Sequence, residues 1–500
     1  MSNSFTREGG LPDGTTDYVL SRMFPEPSPY QKDPVGWVEH TLGEHLWSKQ
    51  REIAQSVVEN RYTAVHSAHE TGKSHIASRL VAWWESIHPL GEAFSVTTAP
   101  TTPQVEAILW REISAAHSKG KLPGRTTLDA KWYIGPRGAE QLVAYGRKPQ
   151  DHVNPAEAMQ AFQGIHAKYV LIVIDEASGV AKWLFDAVDT LAANEYARVL
   201  AIGNPDDPSS HFATEVCKPG SGWNTIHIDG LESPNFTDEE VPEELEYLLL
   251  SPIWVDERRK RWGEDNPLYV AKVRGLFPEV TDDTLISPAQ VNAARYKTDR
   301  SGHAVRTPGI YGADIARSGK DETCMYRNRN GYVRLAYSRH RQTTMDTAGA
   351  IAAKIKRHPL NLVSAIVDVI GIGAGVFDRL KEQNLPVHPF NAAARAREPE
   401  RYLNKRAEGY WHLRYLFEEE LIDIDPDDDE LAAQLVGIHW KYNSSGKIVI
   451  ESKEDMQKRG LSSPDRADAV MMSCTPPAFV LGPRSTNRKS LTSDLLERKM

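Results

Sequence analysis

The sequence is poor in the features of secreted, membrane-spanning or zinc-finger chains. Only three cysteines, Cys217, Cys324 and Cys474, occur in 500 residues, far apart and with no CxxC pair. That excludes a disulfide framework and a cysteine-bound structural zinc site. The 17 histidines form no HExxH or HxH pattern, so zinc-protease chemistry is excluded too. No apolar run approaches the roughly 18 residues of a membrane span, and the opening MSNSFTREGG has no signal-peptide core. A soluble, intracellular protein without membrane contact is expected. Basic charge is in the minority, with Lys and Arg numbering 59 against 68 Asp and Glu, a formal net charge of −9. This excludes a polycation but not a local basic channel, because net charge sets only the average field. No internal repeat is present. What remains is globular composition, 40% hydrophobic and 25% charged, on a chain long enough for about three domains of roughly 150 residues.

Residues 1–45 read as a polar, Pro-rich arm. Over 46–230, short aliphatic runs (Tyr62–Val65, Ala93–Thr98, Val170–Ile174, Val199–Ile202 and Thr225–Ile228) alternate with helix-like segments. That alternation predicts βαβ units and a mostly parallel sheet. Residues 231–305 are Pro-punctuated and charged, and are expected to form a connector. A second strand-rich region spans 306–480, with a mixed sheet, and 481–500 is a polar tail.

In the first half, YTAVHSAHETGKSHIASRL places a strand before a tight loop and an amphipathic helix after it. Thr71, Gly72, Lys73 and Ser74 fit the end of the phosphate-loop pattern GxxxxGK followed by Ser or Thr. Ser67 stands where its first glycine belongs. Such a loop cradles phosphates with backbone N–H groups, sets a lysine on the β/γ oxygens and a hydroxyl on Mg²⁺. Later, YVLIVIDEA is an apolar strand ending in Asp175 and Glu176. Asp175 is placed to hold Mg²⁺ and Glu176 to orient and deprotonate the attacking water. The strand VLAIGNP brings Asn204 as a candidate γ-phosphate sensor, and Gln50 is a candidate for reading adenine.

In the second half, three acids stand where elements aim them inward. Asp314 ends the strand IYGADIA, Asp368 ends AIVDV, and Asp468 lies in SPDRADAVMMS. There Pro464 can open a helix on which Asp465 and Asp468, at i and i+3, share a face. Oxygen-only ligands favour Mg²⁺ or Mn²⁺, and two such ions suit phosphodiester cleavage. Asp321, in SGKDET, is a fourth candidate, assigned to a turn.

In order, the degenerate phosphate loop, YVLIVIDEA, IGNP, GEDNPLYVAKVRGLFPE, GADIA, VDVIGIGAGVFDRL and SPDRADA resemble the large terminase subunit of tailed double-stranded-DNA phages, over about residues 45–475. The resemblance implies an N-terminal P-loop ATPase of the additional-strand type and a C-terminal nuclease of ribonuclease H-like fold. It further implies an ATP-driven motor that moves double-stranded DNA into a procapsid and cuts the concatemer. Its partners would be the portal protein, the small terminase subunit and copies of itself in a ring, in the host cytoplasm. Lys73 and Ser74 would bind phosphate and Mg²⁺, Asp175 would hold that Mg²⁺, and Glu176 would be the base. Asp314, Asp368 and Asp468 would hold the nuclease metals, with Asp465 neighbouring or alternative. Where many members carry an Arg-Gly before the acidic strand, AFQGIHAKY has Gln163, so the arginine finger is open, with Arg147 and Arg198 as candidates. A repair or defence helicase-nuclease, or a portal scaffold that binds ATP without cutting, are the alternative readings.

Overall fold

The computed structural model describes residues 28–475, apart from 103, 137, 148–166, 280, 282, 296, 298–308, 317–321 and 359–362. Gln163, Asp321 and the tail at 481–500 lie outside the described residues. The chain folds as two units. One runs to Arg258 and takes in Tyr269–Glu279; the other comprises Arg259–Leu268 and the chain from Val280 on. The expected connector is thus divided between the two.

The first unit is built on eight strands: β1 (Tyr62–Ser67), β2 (Ala93–Thr98), β3 (Arg125–Thr127), β4 (Lys131–Ile134), β5 (Gln141–Gly146), β6 (Tyr169–Ile174), β7 (Arg198–Gly203) and β8 (Asn224–Ile228). Their order is β3-β4-β5-β2-β6-β7-β1-β8. From β5 to β8 every pairing is parallel. Successive residues of a strand point to opposite faces. On β6, Leu171 and Val173 therefore enter one buried cluster, while Val170, Ile172 and Ile174 enter the other. Both faces being covered, the central strands read as unbroken apolar runs. Strand β7 separates the phosphate-loop strand β1 from the acidic strand β6. This is the additional strand that the fold class expects.

Helices α1 (Ser48–Glu59) and α2 (Lys73–Ile87) flank β1 in sequence. The stretch before them is not wholly an arm. Trp37, Val38, Leu42 and Leu46 are buried in the same cluster as α2, and the Tyr30 carbonyl accepts the Trp83 indole N–H at 2.9 Å. Their apolar side chains have a face of the sheet to fill, so the ordered core begins well before residue 46.

The second unit contains helix α3 only at its first residues (Pro267–Lys272, shared with the first unit). It is centred on β9 (Gly309–Asp314), β10 (Glu322–Arg329), β11 (Tyr332–His340), β12 (Val363–Asp368) and β13 (Val387–Phe390). The order is β11-β10-β9-β12-β13. β10 is antiparallel to both neighbours, and β9, β12 and β13 run parallel. Counted from β9, that is the order 3-2-1-4-5 of a ribonuclease H-like sheet. Around it lie α4 (Lys405–Glu418), α5 (Asp429–Gly437), the hairpin β14–β15 (Trp440–Tyr442, Ile448–Ile450), α6 (Lys453–Lys458) and α7 (Asp465–Cys474).

The approach of α7 to β9 is set by Gly312. A Cβ there would stand 2.1 Å from the Ala469 carbonyl oxygen and 2.4 Å from the Ser473 nitrogen, so only glycine admits the helix backbone this close. The first turn of α7 is held from α5, where the Gln434 side-chain oxygen accepts the N–H groups of Arg466 and Ala467 at 2.8 and 3.1 Å. The Arg466 guanidinium bridges Glu322 and Asp428, at 2.9 and 2.7 Å. Together these fix the helix that carries Asp468.

Candidate active sites

The first site lies where β1, β6 and β7 end. Between β1 and α2 the chain turns tightly, and Ser67, in the first-glycine position, is fully buried. Its hydroxyl lies 3.1 Å from that of Thr71, a side-chain bond across the loop. The Thr71 carbonyl accepts the Trp47 indole N–H at 3.1 Å, and the Gly72 carbonyl accepts the Gln50 amide at 3.1 Å. The other end of the Gln50 amide accepts from the Trp47 N–H at 3.4 Å. Gln50, expected to meet adenine, thus ties Trp47 to the Gly72 end of the loop.

Lys73 is buried, and its ammonium donates to the Asn204 side-chain oxygen at 2.6 Å. The Ser74 hydroxyl donates to Asp175 at 3.2 Å. Asp175 follows β6 directly, and its N–H donates to the Thr98 carbonyl at 2.9 Å. Thus Lys73 meets Asn204, and Ser74 meets Asp175, across 131 and 101 residues of chain. Glu176 sits in the left-handed region, at φ 49°, a strained backbone of the kind that collects at working sites. Burial raises its pKa, with Asp175 adding to the rise, while the Lys73 and Lys272 ammonium groups pull it back. A carboxylate so raised is a better proton acceptor near neutrality. Arg198 is not placed to reach a phosphate within this subunit. It opens β7, at the end of the sheet away from the loop, and its guanidinium donates to the carbonyls of Val57, Val58, Glu195 and Ala197.

The second site lies where β9 and β12 end side by side. Asp314 and Asp368 are their last residues, and Asp468 reaches the same place from α7. All three line one cavity of about 920 Å³, along with Lys453, Arg406 and the hairpin residues Trp440, Lys441 and Ile450. Asp465 does not line it. Its carboxylate accepts from the Glu322 N–H at 2.8 Å and from the Ser463 hydroxyl, so this second acid of the helix face mainly holds β10 against α7.

Sequence reasoning missed the cations of this site. The Lys453 ammonium stands 3.5 Å from Asp314, 3.4 Å from Asp465 and 3.1 Å from Asp468. Asp468 also receives the Tyr410 hydroxyl at 2.7 Å and the Arg406 guanidinium at 3.5 Å. Burial opposes ionisation of Asp468, but Lys453, Arg406 and Tyr410 together hold its pKa below the usual range. Burial instead raises Asp314 and Asp368, with neighbouring acids adding to the rise. Among the described residues no three His, Cys, Asp or Glu side chains stand close enough to hold one ion as they are. The ammonium occupies the middle of the acid group. The donors facing the cavity are nonetheless oxygen-only carboxylates, a set that fits hard divalent ions.

An additional-strand P-loop nucleotide site and an acidic cavity on a ribonuclease H-like sheet, in one chain, define the class. Comparison with known proteins points to one family within it. No protein-family model matches the chain. A "Probable terminase, large subunit" of Enterobacteria phage P7 is 25% identical over 475 residues, spanning 88% of this chain and 90% of that protein. The large terminase of a thermophilic bacteriophage matches over 87% of this chain and 97% of its own, at 13% identity and a TM-score of 0.40. The nuclease domain of the large terminase subunit gp2 of bacterial virus Sf6 matches over 39% of this chain and all of its own, at 22% identity and a TM-score of 0.35. The chain is similar to large terminase subunits over most of its length. Among the described residues, no helix is long and apolar enough to cross a membrane.

Proposed function

We propose that this chain is the large terminase subunit of a tailed double-stranded-DNA phage, a motor ATPase and a metal-dependent DNA endonuclease in one polypeptide. The observation that carries this reading is the presence, in one chain, of two assembled sites: the Lys73–Asn204 and Ser74–Asp175 pairs in one unit and the three-aspartate cavity in the other. The whole-length relative from phage P7 supports the same family.

In the first unit, the loop N–H groups and Lys73 bind the β and γ phosphates of ATP, and Ser74 and Asp175 hold the accompanying Mg²⁺. Glu176 takes the proton of the water that attacks the γ-phosphate, and Asn204, now on Lys73, exchanges its partner when phosphate arrives. Loss of those contacts after hydrolysis is the two-state event a motor needs. In the second unit, Asp314, Asp368 and Asp468 would hold two Mg²⁺ or Mn²⁺ ions once the Lys453 ammonium yields their oxygens. Such ions would supply polarisation of the scissile phosphate and of the attacking water, and charge to stabilise the leaving oxygen. Tyr410 and Arg406 keep Asp468 ionised for that task, and Asp465 positions the helix. DNA is held through its phosphates, which makes binding sequence-tolerant and salt-sensitive. The portal protein of the procapsid, the small terminase subunit and further copies in a ring complete the machine in the host cytoplasm.

Assays on the full-length protein test this. Wild type hydrolyses ATP and nicks plasmid DNA in Mg²⁺ or Mn²⁺; Glu176→Gln loses hydrolysis but keeps nicking; Asp314→Asn does the reverse. Loss of both activities in each variant, or of neither, would refute the two-site reading.

A further inference from the structure

The nuclease cavity has two unlike linings. One is the set of acids, Asp314, Asp368 and Asp468; the other is apolar. Ile370 follows the end of β12, Phe390 ends β13, Leu403 comes just ahead of α4, and Trp440 and Ile450 belong to the hairpin β14–β15. Two of these are open to solvent, Ile370 at 48% and Leu403 at 49% exposed. Two ions and a phosphodiester ask for oxygen ligands and charge, and apolar side chains supply neither. Large apolar groups left wet inside a cavity mark a ligand with an apolar part. The volume of about 920 Å³ is at the upper end of the roughly 300–1,000 Å³ of sites that enclose whole small molecules.

The apolar lining is firmly held. Trp440 pairs with Ile450 across the hairpin, and its ring meets those of Trp411 and Tyr442 edge-on, at centroid distances of 4.8 and 5.1 Å. The Arg414 guanidinium lies 4.8 Å from the Trp411 ring centre and 5.6 Å from that of Trp440. The Leu403 N–H donates to the Ile448 carbonyl at 3.0 Å, and the Ile448 N–H to the Arg401 carbonyl at 2.7 Å, so the chain before α4 is bonded along β15. DNA carries both halves of the ligand this cavity fits: a phosphate for the acids and, beside it, a base with a flat apolar face. In a duplex that face is covered by the stack, so a base reaches Trp440 and Leu403 only by leaving it. We infer that the cavity seats an unpaired nucleotide of the strand being cut, with its base against Trp440 and Leu403, so that the substrate is locally melted DNA. This rests on the nuclease reading above. Stacking on an aromatic ring is indifferent to base identity, so cutting stays tolerant of sequence.

The test uses full-length protein in Mn²⁺ and end-labelled DNA of one sequence in three forms: fully paired, with a central unpaired bubble, and with a bubble whose labelled strand is abasic. Wild type cuts the bubble at least about 10-fold faster than the paired form, because the base is already free of its stack. It cuts the abasic bubble about 10-fold more slowly than the normal one, the weight of one base-on-aromatic stack. Trp440→Ala slows cutting of the normal bubble by a similar factor, leaves Mn²⁺ affinity unchanged, and slows the abasic bubble no further. Trp440→Phe, which keeps a ring, recovers most of the rate. Leu403→Ala, a change at a half-exposed site that leaves the hairpin rings in place, repeats the pattern of Trp440→Ala more weakly. Paired and bubble DNA cut by wild type at rates within about twofold overturn the inference. So does a Trp440→Ala variant that slows normal and abasic bubbles alike, the mark of a brace, or one that cuts faster, which would give the lining to a segment of this chain. A wild type that cuts none of the three forms removes the nuclease reading itself, and this inference with it.

Discussion

Glu85 offers the cleanest single measurement of how the first unit is held together. It lies in α2, buried against β2, and the polar contact shown for its carboxyl is the Ser95 hydroxyl, donating at 2.6 Å. Burial pushes its pKa up to about 8, the Ser95 bond opposing only in part. In the unfolded chain the group titrates near the ordinary value of about 4.3. The folded state therefore binds its proton more tightly, so stability is greatest below the unfolded pKa and falls as pH rises through the window from about 4.5 to 8. By linkage the penalty is about 1 kcal/mol at pH 5, about 3 kcal/mol at pH 7, and levels off near 5 kcal/mol above pH 8. Glu85→Gln keeps the shape and an oxygen for Ser95 while removing the ionisation. At roughly 2–4 °C per kcal/mol for a domain of this size, it should raise the melting transition of the first unit by about 6–12 °C at pH 7. The gain at pH 5 is small. Differential scanning calorimetry of wild type and variant across that range is the assay. A gain independent of pH, or a loss at pH 8, would refute the buried-acid argument.

Four further outcomes follow from the second unit. Asp368→Ala abolishes plasmid nicking while leaving ATP hydrolysis intact, and EDTA does the same to wild type reversibly; residual nicking in a clean preparation counts against the cavity. Gly312→Ala lowers the melting temperature and cuts nicking, because α7 must back away from β9 and take Asp468 with it; unchanged values for both would contradict the close approach. Tyr410→Phe weakens Mn²⁺ binding, read by spin resonance, and slows nicking about 10–100-fold, as loss of a ligand's supporting bond does; wild-type binding would show Asp468 needs no help. Lys453→Ala lowers the melting temperature in chelator, and added Mg²⁺ restores it, since either cation offsets the acids it touches; a melting temperature equal to wild type in chelator would deny that role.

What the sequence disclosed depended on whether an element's own residues report its surroundings. β1, β6 and β7 were legible because both their faces are buried, which forces runs such as VLIVI and VLAI. Strands β3 to β5 escaped notice. β3 and β4 are short and antiparallel at one side of the sheet, with RTT and much of KWYI only partly buried, and β5, QLVAYG, joins them to the parallel strands without a continuous apolar run, so no clean period marks them. Among the site residues, the acids could be found because each closes an apolar strand or sits at i+3 on a helix. Lys453, within ESKEDMQKRG, and Arg406, within LNKRAEGY, sit in charged stretches with no apolar pattern to aim them. Only the folded chain turns them onto Asp314 and Asp468. Asp465 and Asp468 were inseparable by spacing, and it is β10, through the Glu322 N–H, that draws one of them away.

The two sites meet the same electrostatic demand in the same way. Each gathers carboxylates in a place where burial alone raises their pKa, as at Asp175, Glu176, Asp314 and Asp368. Leaving several buried charges unmatched would cost several kcal/mol apiece, and each site sets a lysine ammonium among them. The consequence differs by site. At Lys73, under the proposed function, the ammonium would stay, because incoming phosphates would bring negative charge of their own and its partner Asn204 is neutral. At Lys453, under the proposed function, the incoming groups would be cations, which would compete with the ammonium for the oxygens of Asp314 and Asp468. The long stem of Lys453 and its partial exposure, 39%, would let it give way.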